Sequence, residues 1–289
     1  MSAQILDGQA TARQIRKEVA QRVAQLKTER GVTPRLAAIL AGDNHASEAY
    51  VGMKERACGW VGMDSQTHRL SCSVTQAEVE ELIGQLNHDP LVHGILVQHP
   101  LPSHLNEIAV LSRLSPEKDV DGVSRHSLGA LLTGEKGFVA CTPLGIIELL
   151  DRYQIPIKGK HAVVVGCSII LGKPMSMLLL NRFATVTICH IHTKDLPEIT
   201  RSADILVAAA GKADLITGDM LKPGAVVIDA GFNRIPGRKS DVGDVEFESA
   251  SKVASWITPV PGGVGPMTIA MLLRNTLESA EVKHRPKNA

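Results

Sequence analysis

Short runs of aliphatic and β-branched residues alternate along this chain with stretches of helical period, and that alternation leaves few folds open to it. The clearest case begins at residues 161–165 (HAVVV), followed by a glycine-bounded turn, a helical stretch over 172–183 and a second strand at 185–189. A helix near Pro197 and strands at 205–209 and 225–229 continue the pattern. Strand-helix-strand succession demands crossover connections, hence parallel strands covered on both faces, a doubly wound α/β arrangement. In such sheets ligands bind beyond the carboxyl ends of the strands.

The N-terminal half carries the same signal. Ile15, Val19, Val23 and Leu26 recur at helical spacing over residues 12–30, and Gly31 stands at the stop position. Residues 35–40 read as a buried strand, and Gly42-Asp43 turns it into a helical stretch over 47–61 that carries Tyr50 and Lys54. Thr75-Gln76-Ala77-Glu78 has capping-box spacing for a helix reaching Asn87. Residues 93–98 (HGILVQ) form a strand halted by Pro100 and Pro102, which leaves Gln98 near a carboxyl end. A charged loop, Ser115-Pro116-Glu117-Lys118-Asp119-Val120-Asp121-Gly122, follows soon after. Thr142-Pro143 supplies an N-cap and first-turn proline for a connecting helix. Near the end, a Pro/Gly-rich run over 259–266 precedes Ile269, Leu272, Leu273 and Leu277, the apolar face of a last helix expected to fold back on the first domain.

A length of 289 residues suits two domains. Lys and Arg number 31 against 30 Asp and Glu, so no basic surface for a nucleic-acid backbone is indicated. No run approaches the roughly 18 apolar residues of a membrane span, so a soluble protein is expected. The N-terminus lacks the apolar core of a secretory signal. Five cysteines without a C-x-x-C pair suggest neither a disulfide framework nor a zinc site, which fits a reducing cytoplasm.

Between the strand at 161–165 and the next helix lies Gly166-Cys167-Ser168-Ile169-Ile170-Leu171-Gly172. Small residues there let backbone N–H groups and a helix N-terminus approach a pyrophosphate, although a turn that binds nothing has the same composition. NAD binders place a carboxylate about 20 residues beyond the first glycine to hold the ribose hydroxyls. Here residues 189–194 read Cys-His-Ile-His-Thr-Lys. His190, His192 and Lys194 can neutralise a 2′-phosphate, which favours NADP, while at a strand end they also suit plain surface. Tyr50 and Lys54 lie four residues apart on one helix face, within reach of a single ligand, yet the same spacing commonly marks an exposed snorkelling pair.

At AYVGMKERACGWVGM, HGILVQHPLP, PEKDVDG, GCSIILGKPM, VIDAGFNR and TPVPGGVGPMT the sequence resembles the bifunctional methylenetetrahydrofolate dehydrogenase/methenyltetrahydrofolate cyclohydrolase family, in its bacterial form without a synthetase domain. The resemblance implies a folate-binding domain of residues 1–140 plus 266–289, a Rossmann-like NADP-binding domain of residues 141–265, a cleft between them, and a homodimer. It implies oxidation of 5,10-methylenetetrahydrofolate with NADP, then hydrolysis of the methenyl product to 10-formyltetrahydrofolate, and no metal. Lys54 matches the family's acid/base lysine, with Tyr50, Gln98 and Asp121 as catalytic companions. Val97, His99 and the stretch Pro261-Gly262-Gly263-Val264-Gly265 match substrate-binding positions. Gly166, Cys167, Ser168, Gly172, His190, Ile191, His192 and Phe232 match the nucleotide site. Many relatives carry Arg where Cys167 stands and Ser or Arg where Ile191 stands, so NAD is a possible cofactor too. Asp121, with two acceptor oxygens for adjacent N–H donors of a pterin-like ring, is expected to anchor substrate. Asp119 is expected to be solvated or to brace its loop. Other two-domain dehydrogenases, acting on amino or shikimate-like acids, and a nucleotide-sensing protein without turnover are the competing readings; Lys54, Gln98 and Asp121 together disfavour both.

Overall fold

A computed structural model of the chain describes residues 2–235, 237 and 241–285, with backbone alone at positions 45 and 46. A short strand β1 (Gln4–Ile5) precedes α1 (Gly8–Arg30), β2 (Arg35–Ala41), α2 (His45–Trp60), β3 (Asp64–Leu70), α3 (Gln76–His88) and β4 (Gly94–Val97). Short helices α4 (Glu107–Leu111) and α5 (Arg125–Thr133) lead to α6 (Cys141–Arg152). Then come β5 (His161–Val165), α7 (Gly172–Asn181), β6 (Thr185–Cys189), α8 (Leu196–Arg201), β7 (Ile205–Ala208), β8 (Val226–Asp229), α9 (Phe247–Ala250), β9 (Trp256–Ile257) and α10 (Val264–Lys283). Among the described residues no helix is long and apolar enough to cross a membrane.

By packing, the chain forms two compact units: residues 2–12 with Thr142–Thr268, and Arg13–Cys141 with residues 269–285. The placement of residues 2–12 differs from the sequence expectation. β1 joins the second sheet by pairing parallel with β9, Gln4 opposite Trp256 and Ile5 opposite Ile257. At the start of α1 the backbones cross so closely that a Cβ on Gly8 would lie 1.8 Å from the Gly263 carbonyl oxygen.

The unit built on Arg13–Cys141 has a three-stranded parallel sheet in the order β3-β2-β4. Ile15, Val19, Val23 and Leu26 of α1 are all buried, as their period requires. The capping box is formed: the Thr75 hydroxyl accepts from the Glu78 N–H, and the Glu78 carboxylate accepts from the Thr75 N–H at 2.7 Å. Leu272, Leu273 and Leu277 of α10 are buried, Asn275 donates to the Val120 carbonyl at 2.8 Å, and Ser279 donates to the His93 and Glu117 carbonyls.

The other unit has six parallel strands in the order β1-β9-β8-β7-β5-β6. The chain runs from β5 to β6 on one side and then crosses to β7 on the other, so β5 and β7 are neighbours whose following loops leave in opposite directions. This topological switch point is where open α/β sheets bind ligands.

The charged loop after β4 divides its two aspartates between different tasks. Asp119 is not solvated: it has no exposure, and it braces the start of α5. Its carboxylate accepts from Val123 N at 3.2 Å, Ser124 N at 2.9 Å and the Ser127 hydroxyl at 2.6 Å. Hydrogen-bonded to three donors, the buried charge replaces its lost hydration without a cation. Asp119→Asn turns one acceptor into a donor that faces N–H or O–H groups, so chemical denaturation is expected to show a loss of about 2–3 kcal/mol. Asp121→Asn, two residues on and half-buried, is expected to change stability by under about 1 kcal/mol.

Candidate active site

β4 delivers Gln98 to its carboxyl end, where the Gln98 N–H bonds to the Ile39 carbonyl of β2 at 2.9 Å. The side chain is held at both ends. Its Nε2 donates to the His99 carbonyl at 2.7 Å, which fixes the amide so that Oε1 accepts from Lys54 Nζ at 3.0 Å. Lys54 lies on α2, with Tyr50 one turn earlier on the same face, both partly buried. Burial pushes the Lys54 amine below the ordinary lysine range; the Asp121 carboxylate pulls in the opposite direction.

Behind these residues stands Cys141, the first residue of α6 and fully buried. Its thiol contacts the Val120 carbonyl at 3.3 Å and hydrogen-bonds to Asp121. Burial first, then the Asp121 charge, raise the thiol well above its usual range, so it stays a neutral donor. Nothing in the sequence singles out Cys141, because the group it touches is 21 residues away in the chain. The sequence expectation of an N-cap at Thr142 is not met. The helix instead begins at Cys141, and the Thr142 hydroxyl lies 3.0 Å from that of Thr268.

Of the remaining substrate-binding positions, Val97 is 1% exposed, its side chain packed in the core with Ile39 and Ile95. His99 Nδ1 lies 3.1 Å from Glu107, whose carboxyl is held below its usual range chiefly by that contact. Pro261-Gly262-Gly263-Val264-Gly265 belongs to the other unit. There Gly262 has φ +107°, a conformation that favours glycine, while a Cβ on Gly263 would fall 2.5 Å from the Pro259 carbonyl oxygen, so Gly263 serves the chain's own close crossing. Gly265 alone has open space where a side chain would stand.

At the switch point the glycines are obligatory. Gly166 has φ +133°, and a Cβ there would sit 2.1 Å from the Ala209 carbonyl oxygen at the end of β7. A Cβ on Gly172 would sit 2.1 Å from the Gly166 carbonyl oxygen. The loop thus folds tightly onto itself ahead of α7. Ser168 accepts from Leu171 N at 3.2 Å and lies 3.5 Å from Gly172 N, taking the place of an N-cap. Cys167 and Ser168 are exposed. The small exposed residues Cys167 and Ser168 fit a pyrophosphate, while Gly172, where α7 begins, is buried.

Beyond β6, His190, Ile191 and His192 are exposed, Ile191 at 93%. His190 Nδ1 accepts from the His192 N–H at 3.2 Å, which places a proton on His190 Nε2 and makes it a donor to solvent or ligand. Phe232, after β8, is half exposed.

A family model described as the tetrahydrofolate dehydrogenase/cyclohydrolase catalytic domain matches residues 6–121, and one described as its NAD(P)-binding domain matches residues 140–284. The chain is 58% identical over 280 residues to the bifunctional protein FolD of Moorella thermoacetica, covering 97% of this chain and 99% of that protein. The crystal structure of the Campylobacter jejuni bifunctional FolD is similar with a TM-score of 0.95 and 48% identity, over 97% of this chain and 99% of that one. The Trypanosoma brucei enzyme, solved with NADP cofactor and inhibitor, gives a TM-score of 0.94 and 39% identity, over 99% and 100%.

The opposed influences on Lys54 have a measurable sign. In a side-chain amine NMR titration Lys54 is expected to lose its proton at lower pH than the exposed lysines. Asp121→Asn removes the group that holds the proton on and is expected to move the midpoint lower still.

Proposed function

The chain belongs to the tetrahydrofolate dehydrogenase/cyclohydrolase family, and from that premise we propose that Lys54, held by Gln98 and faced by Asp121, moves the protons of the hydrolytic half of its reaction. The enzyme oxidises 5,10-methylenetetrahydrofolate to the 5,10-methenyl form and hydrolyses this to 10-formyltetrahydrofolate. A bound nicotinamide supplies the acceptor for the hydride that leaves the one-carbon bridge. The observation that carries the assignment is the amine itself: partly buried, deprotonated more readily than usual, and fixed at 3.0 Å by a partner that cannot titrate.

Water adding to the methenyl carbon must lose a proton. A neutral Lys54 accepts it, and the positive charge of the methenyl substrate favours that neutral form further. The ring opens when the carbon–nitrogen bond to the departing ring nitrogen breaks. Lys54 returns the proton to that nitrogen, and the hydroxyl of the adduct gives its own proton to solvent as the formyl group forms. Hydrolysis thus consumes one water and releases one proton. Gln98 keeps the amine aimed throughout. Asp121, with one oxygen engaged by Cys141, offers the other to ring N–H donors of the pterin, and Tyr50 covers the same ligand from one turn away on α2.

The nucleotide is placed at the switch point, with Gly166, Cys167, Ser168 and Gly172 about the pyrophosphate and Phe232 at the other lip of the crevice. We take NADP as the preferred form. The strand end at 189–194 carries no carboxylate to hold ribose hydroxyls; His190 and His192 offer N–H donors to a 2′-phosphate and Lys194 offers positive charge. The folate-binding part is residues 13–141 with 269–285, and the nucleotide-binding part is residues 142–268 with residues 2–12.

We infer a homodimer, a reading supported by the open edge of the six-stranded sheet. β6 pairs on one side only, with exposed Ile188 on it and exposed Leu180 on the adjoining α7, and an uncovered edge of this kind invites a second copy. Sedimentation at micromolar concentration is expected to give about twice the chain mass; a single-chain mass overturns the assignment.

A steady-state assay with methylenetetrahydrofolate tests the reading as a whole: reduction is expected with NADP in preference to NAD, and none with either defeats it. Lys54→Met is expected to lower methenyl hydrolysis by about 10²–10⁴-fold, the usual worth of a positioned acid/base. Retained ring opening refutes the role given to Lys54.

A further inference from the structure

Two buried aspartates that take no part in the chemistry above stand behind the nucleotide loops. Asp229 ends β8 and is 3% exposed; Asp244 lies on the segment that returns toward α9 and has no exposure at all. Asp229 ties its own turn to the segment at 244–245: its carboxylate accepts from Gly231 N and Asp244 N, each at 2.9 Å, and from Val245 N at 3.0 Å. Asp244 then reaches across two loops. Its Oδ2 accepts from Ala210 N at 2.6 Å and Gly211 N at 2.9 Å, just after β7, and its Oδ1 accepts from Asn233 Nδ2 at 2.8 Å, just after β8.

The packing leaves no slack. A Cβ on Gly231 would fall 2.3 Å from Asp244 Oδ1, and one on Gly243 would fall 1.7 Å from Asp229 Oδ2. The loop that Asp244 ties down begins at Ala209, the residue whose carbonyl presses on Gly166. One carboxylate therefore sets the height of the backbone beside the pyrophosphate loop and the reach of the segment carrying Phe232.

Sheet order says which half of the nucleotide this concerns. A dinucleotide centred on the loop between β5 and β7 extends one way toward the end of β6, where His190, Ile191 and His192 stand, and the other way toward the ends of β7 and β8. The 2′-phosphate side is the former, so the nicotinamide half lies over the latter. We propose that Asp244 is a positioning residue for the nicotinamide half of the nucleotide, acting through the Ala210 and Gly211 backbone and through Asn233. The proposal rests on the nucleotide placement given under Proposed function.

The two activities supply an internal control, because methenyl hydrolysis needs no nucleotide. Asp244→Asn keeps an acceptor for Ala210 and Gly211 but sets one amide NH2 against another at Asn233. It is expected to raise the KM for NADP at least tenfold while methenyl hydrolysis stays within twofold. Asn233→Ala, which removes a single donor, is expected to shift the same KM in the same direction by a smaller factor. The exchange Asp244→Asn with Asn233→Asp restores an N–H donor facing an oxygen between the two side chains and is expected to recover most of the loss, a result that a general loosening of the fold does not produce. A KM within twofold of the parent in both single variants overturns the proposal, as does a parallel fall in hydrolysis or an exchange variant no better than Asp244→Asn. Calorimetric titration of the parent protein with NADP separates the two levels: absence of binding there removes the nucleotide placement itself, and the proposal with it.

Discussion

A primary amine taken out of water gives up three hydrogen bonds and a favourable solvation of its charge, and it survives burial only where the protein replaces part of both. At Lys54 the replacement is partial by construction. Gln98 returns one hydrogen bond and no charge, and Asp121 returns charge without neutralising the burial, so the amine is held below its ordinary range but not fixed in one state. A carboxylate in the position of Gln98 would lock the proton on, and an aliphatic residue there would leave the amine without direction. The rest of the unit serves that balance. β4 brings Gln98 to the strand end, the His99 carbonyl sets the orientation of its amide, and a protonated thiol at Cys141 occupies one face of Asp121 without adding charge.

The second unit manages a polar ligand by different means. No acidic or basic side chain is needed to form the turn at the switch point. The turn depends on two positions where a methyl group would overlap a carbonyl oxygen, and on a serine that caps α7 from within the loop. Because Ser168 takes the N–H groups of Leu171, Gly172 and Lys173, the N–H groups left for an anion are those of the loop ahead of the helix. At the end of β6 the departure at Ile191 leaves Lys194 as the local source of positive charge, with His190 Nε2 as a neutral N–H donor beside it.

Much of this was legible in the chain. β5 and β6 occupy the residues their β-branched runs indicate, and the capping box at Thr75 forms as written. What stayed hidden shares a physical cause. β3 reads Asp-Ser-Gln-Thr-His-Arg-Leu and pairs along its length with β2, but as an edge strand facing solvent it carries no apolar alternation to announce it. β1 and β9 are two residues each and exist only because they find each other across the chain. α5 did carry local signals, the Ser124 cap and Gly134 at φ +76°, but on a stretch too short to establish a period. In the site, Tyr50, Lys54 and Gln98 could be placed on their elements by spacing. That Lys54 is partly buried and joined to Gln98 could not, since exposure depends on what packs above α2. Asp119 and Asp121 show the same limit: two carboxylates of one D-V-D-G motif look equivalent until one is seen to be wholly buried on backbone and hydroxyl donors.

The way the buried carboxylates are satisfied bears on how the functional groups can behave. Asp119, Asp229 and Asp244 are each held by N–H or O–H donors, and none of the described contacts gives them a lysine or arginine partner. Bracing by ion pairs would set fixed positive charges near the strand ends, where each would act on Lys54 within its own unit or compete for an anionic ligand at the switch point. Neutral donors stiffen the same loops with short-range forces and leave each carboxylate's negative charge in place, so that the Asp119 charge is felt at Cys141. The cost appears at Asp229, where burial and the neighbouring Asp244 charge raise the carboxyl to about 6 despite its three backbone donors. Little rearrangement is tolerated here, because any lost N–H donor leaves a buried charge without compensation. Stiffness of the nucleotide loops and intolerance of change behind them are therefore one property of this unit.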